Sequence, residues 1–511
     1  MAATYEVHID WGDDGSFATS GDDVSSRAMS WRQPITIERG RDNARAMSPP
    51  MPGRGGLLLN NTSGDYSPAN TGSPLAGNVR TGLPVRIQAT LGGNTYVLQR
   101  GWLDDYTELP GINDQSVQLS TFDVLGYLQT SKLSTAVHHS VRTGQAINLV
   151  LDAVGWPADD RDIDDGANTI RWWWEEGTTA AEAIRRIVQS EGMPAIVYTD
   201  DDGQIVFRDR HHRLLRSASL TSQATFRGTG TEPVHSDPIT VEHGAREIVN
   251  AVLFDVQDRS PTGSAQVVWT SDRVWSVADG ETVEVNATMG EPVIEAMTPV
   301  AGTDYQLRSG SVAVSLTRTS GAAITLRITA SGGAAMLDGL QLRAFPLEVA
   351  RRVKITATDS VSIGLYGHRT FPLDAPWLNA NDAVGVAEVI LAHRADRLPV
   401  VTITVEGEND TRLTQQLVRE LSDRITVVAD RASINNEFFV EKISHTIQAP
   451  HHATVFGCEQ VATQVDNVFR FDVAGQGFDD GKFGIAGLDD PDLIFRFDTA
   501  GQGFNDGVFA T

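Results

Sequence analysis

The chain has 511 residues, 41% hydrophobic and 21% charged, a globular balance far from disorder, with length for roughly three to four domains. Its net charge of −25 argues against a sequence-reading nucleic-acid binder, which needs basic stripes, but suits a surface past which DNA slides without sticking. The single cysteine, Cys458, excludes an internal disulfide framework and a thiolate metal cage.

The opening MAATYEVHIDWG has neither a basic start nor an apolar core, so it does not read as a secretory signal. No apolar run approaches the ~18–20 residues of a spanning helix, so no membrane-spanning segment is expected. We read the chain as soluble and made in a reducing compartment. YEVHIDW (5–11), PITIERG (34–40), GLLLNN (56–61), LPVRIQATL (83–91), NTYVLQRGWL (94–103) and SVQLSTFDV (116–124) alternate or are β-branched, between Gly, Asn, Asp and Pro clusters. This spacing predicts an all-β barrel or sandwich over residues 1–135.

A small α+β module follows over 136–215. In TAAEAIRRIVQSEG, Thr179 and Glu182 have capping-box spacing, Ala180, Ala183, Ile184, Ile187 and Val188 form one apolar face, and Gly192 supplies a left-handed stop. PAIVYTDDDGQIVFRDR reads as two strands around an Asp/Gly turn. Trp172, Trp173 and Trp174 are either a ligand-stacking platform or packing under that helix. The large apolar area of Trp makes burial of at least two the expectation. β-Texture resumes over 216–260, breaks for an inserted β-sandwich-like block at 261–345, and returns over 346–465. The insert alternates cleanly at Val312, Val314, Leu316 and at Ile324, Leu326, Ile328. A second helix carries Ala383, Val386, Ala387, Ile390 and Leu391 on one side.

Residues 466–511 hold two copies of one pattern, VFRFDVAGQGFDDGKF (468–483) and IFRFDTAGQGFNDGVF (494–509). Each predicts a hairpin too small to be stable alone in water. Phe469, Phe471, Phe478 and Phe483, with Phe495, Phe497, Phe504 and Phe509, are the candidate partner-docking residues. Folding back on the parent chain, or Ca²⁺ binding through Asp479, Asp480 and Asp506, are the alternatives.

Catalytic signatures such as HExxH, GxSxG or a Walker A loop do not occur in the sequence. The neighbours in His138-His139, His211-His212 and His451-His452 point to opposite faces of a strand, poor geometry for joint metal ligation. Asp200-Asp201-Asp202-Gly203 lacks the spacing of a Ca²⁺ loop. Asp160, Asp162 and Asp164 alternate, but Gly166 falls late and Arg171 stands where a bidentate Glu belongs, so both stretches read as turn chemistry. Glu175-Glu176 beside the tryptophans is the best carboxylate pair for a wall-degrading glycosidase, with no second carboxylate legible at the required separation. No catalytic residue, cofactor or metal site is assigned, and the chain is read as a non-enzyme.

ITIERGRDNARA (35–46), with Arg39-Gly40-Arg41 after a core strand, LLLNNTSGDYSPAN (57–70), GNVRTGLPVRIQATLGGNTYVLQRGWLDDY (77–106), EAIRRIVQSEGMPAIVYTDDDGQIVFRDR (182–210), DSVSIGLYGHRTFPLDAPWL (359–378) and INNEFFVEKISHTI (434–447) occur in a collinear order. That order resembles the tail hub, or minor tail, proteins of long-tailed phages of actinobacteria, which are similar to the trimeric baseplate hubs of contractile tails. The resemblance spans residues 5–462 and excludes the 261–345 insert and the terminal repeats. It implies two tail-tube-like β-barrels, 1–135 and 216–260 plus 346–465, so that a homotrimer presents six barrels to a sixfold tube. It further implies a virion protein at the tail tip, assembled in the host cytoplasm. Its neighbours would be a distal tail protein or tail tube ring, the tape measure protein and other tip proteins reached by the terminal repeats. DNA would pass through the lumen without specific binding. A receptor- or cell-wall-binding protein using the insert on host glycan is the alternative reading, and a muralytic glycosidase the third.

Overall fold

The computed structural model describes residues 3–41, 47–228, 236–244, 248–407 and 409–461; the terminal repeats, and so all eight candidate docking phenylalanines from Phe469 to Phe509, lie outside the described residues. Alternation produces β1 (Thr4–Ile9), β2 (Ile35–Arg41), β3 (Pro50–Asn60), β4 (Pro84–Leu91), β5 (Asn94–Gly111) and β6 (Asp114–Phe122). Their inward residues, among them Val7, Ile9, Ile37, Leu57, Leu59 and Ile87, share one core. Each contributes about 1.5–3 kcal/mol by leaving water.

In the α+β module, β7 (Thr169–Trp173) precedes α1 (Ala180–Glu191). The Thr179 hydroxyl accepts from the Glu182 N–H at 3.3 Å, but the Glu182 carboxylate turns to Arg185 and Arg186, so only half of the capping box forms. The predicted apolar face of α1 is buried. Gly192 ends the helix at φ +89° with an extended ψ, a glycine conformation but not the expected left-handed helical one. Ile196–Thr199 and Ile205–Arg208 pair antiparallel across the Asp/Gly turn.

Next come β8 (Ser236–Glu242), β9 (Ala251–Pro261) and β10 (Leu340–Thr358). β9 and β10 form one long antiparallel ladder, from Ala251 opposite Thr358 to Pro261 opposite Leu347. The residues between them pack on a core of Val285, Ile324, Leu326, Ile328 and Leu337, which borrows Leu340, Leu342 and Ala344 from the start of β10. Helix α2 (Ala380–Arg394) covers Val252, Phe254 and Val256 of β9 with the face predicted from sequence. The chain then runs through β11 (Val400–Glu406), α3 (Asp410–Val418), β12 (Arg424–Ala429), β13 (Ile434–Gln448) and β14 (His451–Gln460).

Most of these strands join one twelve-stranded sheet in the order β1-β4-β5-β6-β3-β2-β13-β14-β11-β8, with β12 branching from β13 and Thr225–Arg227 pairing in parallel with β12. The protein is thus mainly β with a minor α+β part. Of the segments expected in a second barrel, β8 and the strands from Val400 onward lie in this sheet, whereas β9 and β10 lie in another. The physical reason is that both edges of β9 are already paired, with β10 on one side and Thr370–Pro372 on the other, while α2 covers its apolar face. A second core on the large sheet holds Phe226, Val401, Ile403, Phe438 and Phe456. The packing crosses over. Leu413 and Leu417 of α3 enter the first core, and Ile196, Tyr198 and Val206 of the module enter the second. Among the described residues, no helix is long and apolar enough to cross a membrane.

Candidate functional site

The two halves of the large sheet meet where β2 pairs with β13, from Ile35 opposite Ile447 to Gly40 opposite Lys442. Arg39-Gly40-Arg41 builds this seam. At φ +109°, a Cβ on Gly40 would stand 2.4 Å from the Glu441 carbonyl oxygen, so only glycine lets the strands close. Arg41 donates from Nε to Glu441 at 2.9 Å and through its other nitrogens to the Ser48, Pro194 and Ala195 carbonyls. Arg213, from the module, reaches the other Glu441 oxygen at 2.7 Å. The three side chains are buried. Burial opposes ionisation of Glu441, but Arg213 and Arg41 outweigh it and hold the carboxyl below its ordinary range. Arg39 pairs with Glu420 at 2.6 Å beside the Asp200–Gly203 turn. There, burial pushes the Asp200 carboxyl up to about 7 and Asp201 up to about 6.

At one rim of the sheet three loop ends converge. Arg32 clamps Asp114 of the β5–β6 tip with bonds of 2.8 and 2.6 Å, and Gln448 of the β13–β14 tip donates to the Trp31 carbonyl at 3.2 Å. Trp31 and Ile112, in these loops, are 68% and 96% exposed. The sheet ends in β1, whose outer edge bonds the 22–25 segment (Ile9 N–H to the Asp22 carbonyl and Val24 N–H to the Val7 carbonyl, both 2.9 Å), and in β8, which among the described residues pairs with β11 alone.

The tryptophan run divides between two sides of β7. Trp173 is fully buried beneath α1, while Trp172 and Trp174 line a cleft of about 700 Å³. The expectation that at least two would pack under the helix is corrected to one, because neighbours in an extended strand cannot share a face. The outer face of β9 (Leu253, Asp255, Gln257) forms the cleft floor, and the 372–379 loop, with Trp377, the far wall. Trp377 meets Trp174 edge-on at 5.1 Å between ring centroids, and the Arg259 guanidinium lies 5.2 Å from the Trp174 ring.

Glu175 and Glu176 do not converge on this cleft. Glu175 is buried 3.7 Å from Arg186, and burial raises its pKa. Glu176 reaches the insert instead, accepting from the Ser320 hydroxyl at 2.7 Å and the Ala322 N–H at 3.3 Å. In the 160–164 run, Asp162 and Asp164 face Arg208, and Asp164 lies 2.8 Å from Nδ1 of His212. His138 and His139 pack against Trp173 and Trp172 respectively, on opposite faces as adjacency requires. His452 is buried, with its Nε2 3.0 Å from Nδ1 of His445, and Thr454 and Gln416 complete the network. His445 went unnoticed in the sequence because it is unpaired there. The visible signal was its odd spacing from His452 across the KISHTIQAPHHAT hairpin. Burial lowers the His452 pKa to about 4. Among the described residues, no group of three or more His, Cys, Asp or Glu could hold a metal ion.

No protein-family profile matches this chain, and no curated protein matches it. Its fold is similar to that of a tail protein from Neisseria meningitidis MC58, with TM-score 0.50 and 12% identity over 91% of this chain and 99% of that one. A 43 kDa tail protein of prophage MuSo2 from Shewanella oneidensis also aligns, with TM-score 0.48 and 12% identity over 91% and 99% of the two chains. The prophage tail protein gp18 from Listeria monocytogenes EGD-e aligns with TM-score 0.41 and 9% identity over 90% and 95%.

Proposed function

We propose that this chain is a structural virion protein, the trimeric hub at the distal end of a phage tail, which continues and closes the tail tube, organises the tip and lets DNA through on ejection. The observation that carries this reading is the continuous sheet: one polypeptide supplies two β-walls with separate cores, fused along β2 and β13. Three copies would then present six walls to a sixfold tube. Among the described residues the outer edge of β8 pairs with no further strand, which supports lateral pairing between copies, and the rim bearing Trp31 and Ile112 suits stacking on a distal tail protein or tube ring. The net charge of −25 favours a lumen that repels phosphate. In this reading the tape measure protein occupies the lumen before ejection, and the terminal-repeat phenylalanines dock on other tip proteins. The reading assigns no chemistry to the chain.

Light scattering on the purified full chain, followed by symmetry determination on intact particles, tests it. Three copies around a single axis are expected. A lone copy at the tail end, or two or four around the axis, overturns the hub.

A further inference from the structure

We infer that the cleft between β7, β9 and the 372–379 loop is a binding site for a neutral oligosaccharide. Its volume of about 700 Å³ falls in the range of ligand pockets, ~300–1,000 Å³. Trp172, Trp174 and Trp377 each stay partly exposed along it, giving flat apolar surfaces on which the C–H faces of sugar rings stack. Such exposure is unusual for a residue that could be buried at the same junction, as Trp173 is.

The polar groups decide the ligand's charge. Arg171 and Lys354 offer donors, and Asp255 is an acceptor directly opposite Lys354 in the β9–β10 ladder. Among the described residues, none of the three has an ion-pair partner, although all line the same cleft. Over the whole lining, three cations (Arg171, Arg259, Lys354) match three carboxylates (Asp255, Asp258, Asp374); Arg259 pairs with Glu291, Asp258 with Arg351 and Asp374 with Arg185. A polyanion such as nucleic acid would meet carboxylates, and a polycation would meet guanidinium and ammonium groups. A hydroxyl both donates and accepts, so a polyhydroxylated neutral chain satisfies both signs at once. The site lies outside residues 261–345 and is independent of the hub proposal.

The test is titration of the full chain, by calorimetry and tryptophan fluorescence, with neutral trisaccharides: maltotriose, cellotriose and triacetylchitotriose. Saturable binding of at least one, with Kd below about 1 mM, is expected. Trp377→Ala should weaken it about tenfold or more, and Lys354→Met and Asp255→Asn by about three- to tenfold each. Lys354 and Asp255 are exposed, so these two variants decide the matter if loss of Trp377 disturbs folding. Failure of all three sugars to bind overturns the inference. So does binding that Lys354→Met and Asp255→Asn leave unchanged. Saturation by oligo-dT, or by a synthetic peptide of residues 494–509, in place of any sugar also overturns it.

Discussion

Replacing Glu441 by Gln tests the seam most directly. The substitution keeps side-chain volume and one acceptor oxygen but removes the negative charge that Arg41, at 2.9 Å, and Arg213, at 2.7 Å, share. The new amide N–H₂ must also face a guanidinium, donor against donor. With Glu441 fully buried, two cations are left uncompensated, and breaking such an arrangement costs about 3–5 kcal/mol. Against a typical stability of ~5–15 kcal/mol, that is a large fraction of the total. Urea unfolding followed by fluorescence, with hydrogen exchange read out at β2 and β13, measures it. Adding Arg213→Met should recover part of the loss, since it removes one orphaned charge. The sign with pH follows from the depressed carboxyl. Its contribution is complete above the ordinary carboxylate range and disappears as pH falls through the lower folded value, so the variant should lack that acid limb. A loss below about 1 kcal/mol, or lost protection confined to regions away from the seam, refutes the reasoning.

Gly40→Ala should cost about 1–3 kcal/mol from its positive φ alone, and more from strand separation, seen as a lower thermal midpoint and faster exchange in β2. Asp200 has a folded pKa raised to about 7, so the folded state binds the extra proton and stability falls as pH rises from about 4 towards 7. Asp200→Asn should therefore stabilise progressively over that window, by up to a few kcal/mol, and level off above it; a pH-independent effect on thermal unfolding counts against the buried carboxyl. Glu176→Ala removes the bonds to Ser320 and Ala322, and about 1 kcal/mol of insert anchoring should be lost. Proteolysis should then accelerate within the insert while the large sheet keeps its protection.

Local pattern carried much of the fold. The alternation in LPVRIQATL and the apolar stripe of TAAEAIRRIVQSEG each report a face that the tertiary structure buries. What sequence could not report is which faces meet. Arg41 and Glu441 are 400 residues apart, so the purpose of Arg39-Gly40-Arg41 became visible only when β13 lay beside β2. β9 reads like any half-buried strand, and nothing in its pattern says that α2 rather than the large sheet covers it. The tryptophan run shows the opposite case. Strict alternation through TIRWWWEE already requires Trp172 and Trp174 to face away from Trp173, so strand geometry outweighs the apolar area of the ring in deciding which tryptophan is buried.

The position of β13 late in the chain has a consequence for biosynthesis. β2 leaves the ribosome some 400 residues before its partner Glu441. At ~5–20 residues per second, the nascent N-terminal sheet waits about 20–80 s with an open edge and without the Leu413 and Leu417 caps. An uncovered strand edge invites pairing with neighbouring nascent chains on the same messenger. The irregular register of β2 at Gly40 and the charges of Arg39 and Arg41 lie on this edge, and a premature partner docked there would have to be displaced before the last strands arrive.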